Sequence, residues 1–127
     1  VKYLIVANIN DLVRVPSDRV AYISSDGNYS TMVLINKEEH LFTINLGTFE
    51  RIIEKQLKQE AGIFIRLGKS LIINSEYIHY INISKQQLIL CDNHVLNRFV
   101  LSASKEALKA LRNMLEVSLN KQLNADE

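Results

Sequence analysis

The sequence predicts a mainly β, β-rich α+β fold: small antiparallel sheets with one short central helix and one C-terminal helix. Three observations predict it. Short apolar, β-branched segments recur along most of the chain, separated by polar or glycine-containing breaks. A helical apolar period appears at only two places, near residue 50 and from about Ser104 onward. Strands and helices do not alternate one by one, which excludes a doubly wound parallel sheet.

In order, KYLIV (2–6) and DLVRV (11–15) read as strands around the polar break Asn8-Ile9-Asn10, and Pro16-Ser17-Asp18 starts a turn. VAYISS (20–25) is a third strand, and Asp26-Gly27-Asn28 after it predicts a tight turn with positive φ. STMVLI (30–35) and HLFTI (40–44) flank a hairpin loop at Asn36-Lys37-Glu38-Glu39. Phe49, Ile52, Ile53 and Leu57 then recur at helical spacing, with Thr48 as the expected cap. Strand text resumes at IFIRL (63–67), LII (71–73), YIHYINI (77–83), QLILC (87–91) and VLNRFVL (95–101). In the last helix Leu108, Leu111, Leu115, Leu119 and Leu123 share one slowly drifting face, while Lys105, Lys109 and Arg112 line another.

The 127 residues suit one domain spanning 1–127, and 47% hydrophobic content is enough for a core. No apolar run approaches the ~20 residues of a membrane helix, and no signal-peptide pattern is present. The one cysteine, Cys91, has no partner within the chain for a disulfide, which fits a reducing cytoplasm. The net charge of +1 conceals an uneven distribution. Residues 64–112 hold seven basic and three acidic residues, whereas residues 1–63 hold seven and eight. A positive segment in a neutral chain points mildly to a polyanion, and an ordinary solvated surface explains it equally well.

Gly68-Lys69-Ser70 resembles the tail of a phosphate-binding P-loop, but the glycine that motif needs five residues earlier is Ile63. The apolar strands on both sides offer no helix N-terminus to receive a phosphate. His40, His79 and His94 sit without triad partners, and Cys91-x-x-His94 is half a zinc site with no second pair. Cys91 reads more simply as a small core residue. No enzyme activity, cofactor or metal site is expected.

Three polar interruptions carry donors instead: SSDGNYS (24–30), RLGKS (66–70) and SASKEALK (102–109). Amide and cationic side chains read base edges, while hydroxyls and lysines hold phosphates. Each loop taken alone is better explained by plain turn chemistry.

Together and in order, the three loops resemble the LytTR DNA-binding domain, the output module of many bacterial response regulators. Val20 to Tyr29 matches the family segment I-x-Y-x-E-x-x-x-N-Y. Phe64 to Asn74 matches F-x-R-x-H-[RK]-S-x-[LI]-V-N, Tyr77 to Ile81 matches Y-I-x-x-I, and Ser104 to Lys109 matches S-R-x-x-L-K. The family core covers about 12–111, and the last helix extends beyond it to about 123. The resemblance implies an elongated β domain that inserts loops into successive major grooves and binds paired direct repeats in promoters. It implies a DNA-binding set of Asn28, Tyr29, Ser30, Arg66, Lys69, Ser70, Asn74, Lys105 and Lys109, with double-stranded DNA as partner and no membrane. The protein would regulate bacterial transcription from the cytoplasm, as part of a two-component system or, since KYLIV reads as a native first strand, as a stand-alone regulator without a receiver domain. The leucine face of the last helix suggests a homodimer, or packing on its own sheet. The competing class is a β-rich interaction module that does not bind DNA.

Three positions depart from the family pattern. Gly68 replaces a histidine, Ser24 and Ser25 stand where glutamate is common, and Lys105 replaces arginine. Lysine lacks the bidentate fork that arginine offers to guanine, so a softer sequence preference is expected.

Overall fold

The computed structural model describes residues 2–126. Ten strands and two α-helices run in the order β1 (Tyr3–Ala7), β2 (Leu12–Pro16), β3 (Val20–Ser25), β4 (Ser30–Leu34), β5 (Glu39–Phe42), α1 (Leu46–Leu57), β6 (Phe64–Leu67), β7 (Leu71–Asn74), β8 (Ile78–Asn82), β9 (Gln87–Cys91), β10 (Arg98–Ser102) and α2 (Lys105–Asp126). They form a β1-β2 ribbon, a five-stranded sheet of order β5-β4-β3-β7-β6 and a three-stranded sheet of order β10-β9-β8. Every pairing is antiparallel.

The five-stranded sheet is buried on both faces, which explains why its strands read as continuous apolar runs rather than alternating ones. One face, with Ile23, Met32, Leu34 and Ile72, packs on α1 through Phe49, Ile53 and Leu57 and on the ribbon through Leu4, Val6, Val13 and Val15. The opposite face, with Val33, Leu67, Leu71 and Ile73, packs on Leu88, Leu90 and Phe99 of the three-stranded sheet and on Leu108 and Leu111 of α2. An irregularity between Val20 and Tyr22 shifts the β3–β4 register by one residue. It puts Ala21 and Tyr22 in the same core while Val20 and Ile23 serve the other.

Several element ends shift from the sequence expectation, and the starts of α1 and β10 shift for reasons that side chains supply. Asn45, not Thr48, caps α1: its Oδ1 accepts the Thr48 N–H at 2.8 Å, which starts the helix at Leu46 and places Thr48 inside it. Strand β10 begins at Arg98 rather than Val95, because the Asp92 carboxylate accepts Leu96 N at 2.8 Å and Asn97 Nδ2 at 3.0 Å and folds 92–97 into a turn. Helix α2 is capped by Ser104, whose Oγ accepts Ala107 N at 3.1 Å. Gln56 of α1 covers the unpaired side of β1, donating to Ile5 O and accepting from Ile5 N, both at 2.8 Å. A side-chain amide thus substitutes for a third ribbon strand and blunts an open edge.

The leucine stripe of α2 divides. Leu108 and Leu111 are fully buried, each contributing about 1.5–3 kcal/mol. Leu119 and Leu123 are 54% exposed, and Leu115 is at the edge of the covered region. None of the described helices is long and apolar enough to cross a membrane.

Candidate nucleic-acid interface

The β3–β4 and β6–β7 hairpins lie side by side because β3 and β7 are neighbours in the five-stranded sheet. Past the end of that ladder, Ser25 N donates to Ser70 O at 2.9 Å and ties the two turns together. The turn at 26–29 closes with Asp26 N donating to Tyr29 O at 3.2 Å and Gly27 at φ +87°. Ser25 Oγ donates to Gly27 O at 3.2 Å and Tyr29 O at 3.0 Å. Asn28 and Tyr29 are therefore held at the surface, Tyr29 with about half its area free (49%).

The second turn, Gly68-Lys69-Ser70, is organised by Arg66. Its guanidinium pairs with Glu50 of α1 at 3.1 Å, and it also donates to Gly68 O at 3.2 Å and Lys69 O at 3.5 Å. Arg66 is half-buried and used inside the protein, while Lys69 and Ser70 remain exposed. Gly68 adopts φ +63°, a left-handed conformation that strains a residue with a Cβ. The glycine removes the donor a histidine would bring, but it lets the chain reverse within three residues and present Lys69.

Two of the sequence-derived candidates have no surface to offer a ligand. Ser30 is fully buried and its Oγ donates to Ile44 O at 2.7 Å, fixing the segment that leads into α1. Asn74 is fully buried as well, donating to Val20 O at 2.9 Å and accepting from Glu76 N at 3.0 Å. Buried polar groups at strand ends satisfy backbone partners, and these two hold the hairpins from behind.

The third interruption sits on the other sheet. Lys105 opens α2, directly after the Ser104 cap, and Lys109 follows one turn later; both are exposed. Among the described residues no hydrogen bond or ion pair joins them to the Ser25–Ser70 pair. Arg112 is turned to Glu116 at 3.6 Å. The β8–β9 turn reaches the entry to α2, since Ala103 N donates to Gln86 O at 3.3 Å and Gln86 Nε2 to Ala103 O at 3.5 Å. The exposed Lys85 belongs to that turn, which separate sequence segments do not connect to the start of α2.

Sequence reasoning also missed the surroundings of Lys69. A recess of about 510 Å³ lies between the two hairpins and the start of α1, lined by Gly27, Gly47, Arg51, Arg66, Lys69 and Ser70 among others. The signal available was Asn45 three residues before Thr48, which starts the helix earlier and brings its first turn to the hairpins. A second recess of about 380 Å³ is lined by Asp18, Arg19, Tyr77, Asp92 and His94. Its carboxylates disfavour a polyanion, and burial pushes the Tyr77 hydroxyl, which donates to Asp18 O, above its ordinary pKa.

Against known proteins, a family model described as the LytTr DNA-binding domain matches residues 10–116. A solved structure of the LytTr DNA-binding domain of a protein described as a methyl-accepting/DNA response regulator from Bacillus cereus superposes with a TM-score of 0.61. It shares 18% identity, and the match covers 91% of this chain and 97% of that one. At this identity the likeness concerns the fold. No curated protein matches the chain.

Proposed function

The chain belongs to the LytTR family of DNA-binding domains, and from that premise we propose that it regulates transcription by inserting its hairpin loops into the major groove of promoter DNA. The observation that carries this reading is the pair of joined turns, which together present Asn28, Tyr29, Lys69 and Ser70 on exposed loops backed by rigid strands. Lys69 is the principal base reader. Its loop is ordered before binding by Arg66, so little conformational entropy is lost on contact. Asn28 offers an amide to a base edge or phosphate, and Tyr29 borders the same surface. Lys105 makes the third contact at the entry to α2, with Lys109 reaching a phosphate at most.

A duplex carrying paired direct repeats fits a protein whose contacts fall on two separate sheets. Selection of bound duplexes from a random pool tests the reading. A recurring short motif in direct repeat is expected, whereas recovery of unrelated sequences would limit the domain to non-specific binding. One observation favours self-association as an addition: α2 continues past its buried turns with Leu115, Leu119 and Leu123 facing outward. Two copies meeting there would suit two repeats, and a protein mass that stays monomeric at high concentration would remove that addition.

A further inference from the structure

We propose that the recess between the two hairpins and α1 seats a backbone phosphate of the bound duplex, with Arg51 as its principal cation. The inference rests on the DNA-reading role of the adjoining loops and adds a contact that the three polar loops do not contain.

The charges around the recess support it. Three cations line it, Arg51, Arg66 and Lys69, and no carboxylate does. Arg66 is committed to Glu50 and to the carbonyls of its own turn. Lys69 is carried outward on the tip of that turn. Arg51 makes one hydrogen bond, to Thr48 Oγ1 at 3.2 Å, and among the described residues it has no ion-pair partner. Its guanidinium keeps donors in a planar fork suited to phosphate oxygens.

The floor of the recess is equally open to an anion. Gly47 presents no side chain there, and a Cβ at that position would make only ordinary contacts, 3.6 Å to Asn45 Oδ1 and 3.9 Å to Arg66 Nη1. Packing therefore does not require glycine, although glycine within a helix costs about 0.5–1 kcal/mol relative to alanine. No acidic residue occupies the first turn of α1 to repel a phosphate. The location selects the source of the phosphate. A loop that enters the major groove has sugar–phosphate backbone along both sides, and the recess opens directly beside Lys69.

The test is a salt series with Arg51→Ala and Arg51→Gln, on the selected operator and on a random duplex, beside Lys69→Ala. Arg51 is exposed, so both variants are expected to melt like the parent protein. Either one should weaken operator and random binding by the same factor, about 5–10-fold at low salt, and lower the log–log salt slope by about 0.9. Arg51→Lys should recover most of the slope. An unchanged slope in both neutral variants, with operator preference lost in Lys69→Ala, overturns the phosphate seat and leaves the base-reading loops standing. Unchanged binding in all of them overturns both. Inorganic phosphate at constant ionic strength supplies the remaining arm: no saturable rise in melting temperature is expected. A rise that Arg51→Ala abolishes would assign the recess to a free anion instead of DNA.

Discussion

The two hairpins that form the candidate surface are built on the same sheet but held in different ways. The β6–β7 turn is braced from within by Arg66, which reaches two of its carbonyls and anchors them to Glu50 of α1. The β3–β4 turn has no such internal brace: besides its tie to Ser70 O, it is closed by one serine hydroxyl and a 3.2 Å backbone bond. Long-range ties fix the base of each, Ser30 to Ile44 in one and Asn74 to Val20 in the other. A braced turn presents its lysine in one geometry, which suits reading a base edge. A lightly held turn adjusts to the duplex, which suits a supporting contact. Under the proposed function, base selection falls mainly to Lys69 and accommodation to Asn28 and Tyr29.

The largest expected effect comes from attacking the base of the braced hairpin. Asn74→Ala removes the donor to the Val20 carbonyl and the acceptor for Glu76 N in a fully buried position. A loss of about 1–3 kcal/mol in stability is expected by chemical denaturation, the usual cost of leaving buried polar groups unpaired. An unchanged midpoint would mean that the two hairpins do not depend on their buried ties.

Next come Lys69→Ala and Arg66→Ala, measured singly and together. Lys69→Ala should weaken operator binding by about 1–3 kcal/mol with an unchanged melt. Arg66→Ala should weaken binding by about 1 kcal/mol through a less ordered loop, and by much less when Lys69 is already alanine. That non-additivity is the signature of one residue acting through the other. Simple addition of the two losses would make Arg66 an independent contact.

The smallest effect on stability is expected in the lightly held turn. Tyr29→Ala should melt within about 0.5 kcal/mol of the parent, as surface substitutions do, while operator binding falls. A large drop in melting temperature with intact binding would make Tyr29 a packing residue and erase the contrast between the turns.

Strand positions were readable in the sequence because the five-stranded sheet is covered on both faces and so writes apolar runs such as Leu71-Ile72-Ile73. Asp26-Gly27 announced its positive φ, and Phe49, Ile53 and Leu57 announced the buried face of α1. The errors have one physical origin, side chains that bond to the backbone outside the pattern being read. Asn45 captured the helix cap from Thr48, and Asp92 turned Val95-Leu96 out of a strand. Ser30 and Asn74 resemble surface donors in one dimension, yet their partners lie 14 and 54 residues away. Arg51 belonged to no polar loop, and only folding brings it beside Lys69. The leucine period of α2 runs unbroken through its covered and uncovered turns, since periodicity records a face and not what covers it.

Amide chemical shifts recorded by NMR while the selected operator is titrated in would test the central claim most directly. The account predicts that the largest changes cluster at Gly27–Tyr29 and Gly68–Ser70, with a second group at Ala103–Lys105 and little change in the ribbon. The largest changes on the outer turns of α2 or on the β1-β2 ribbon, with the two hairpin turns unmoved, would contradict it.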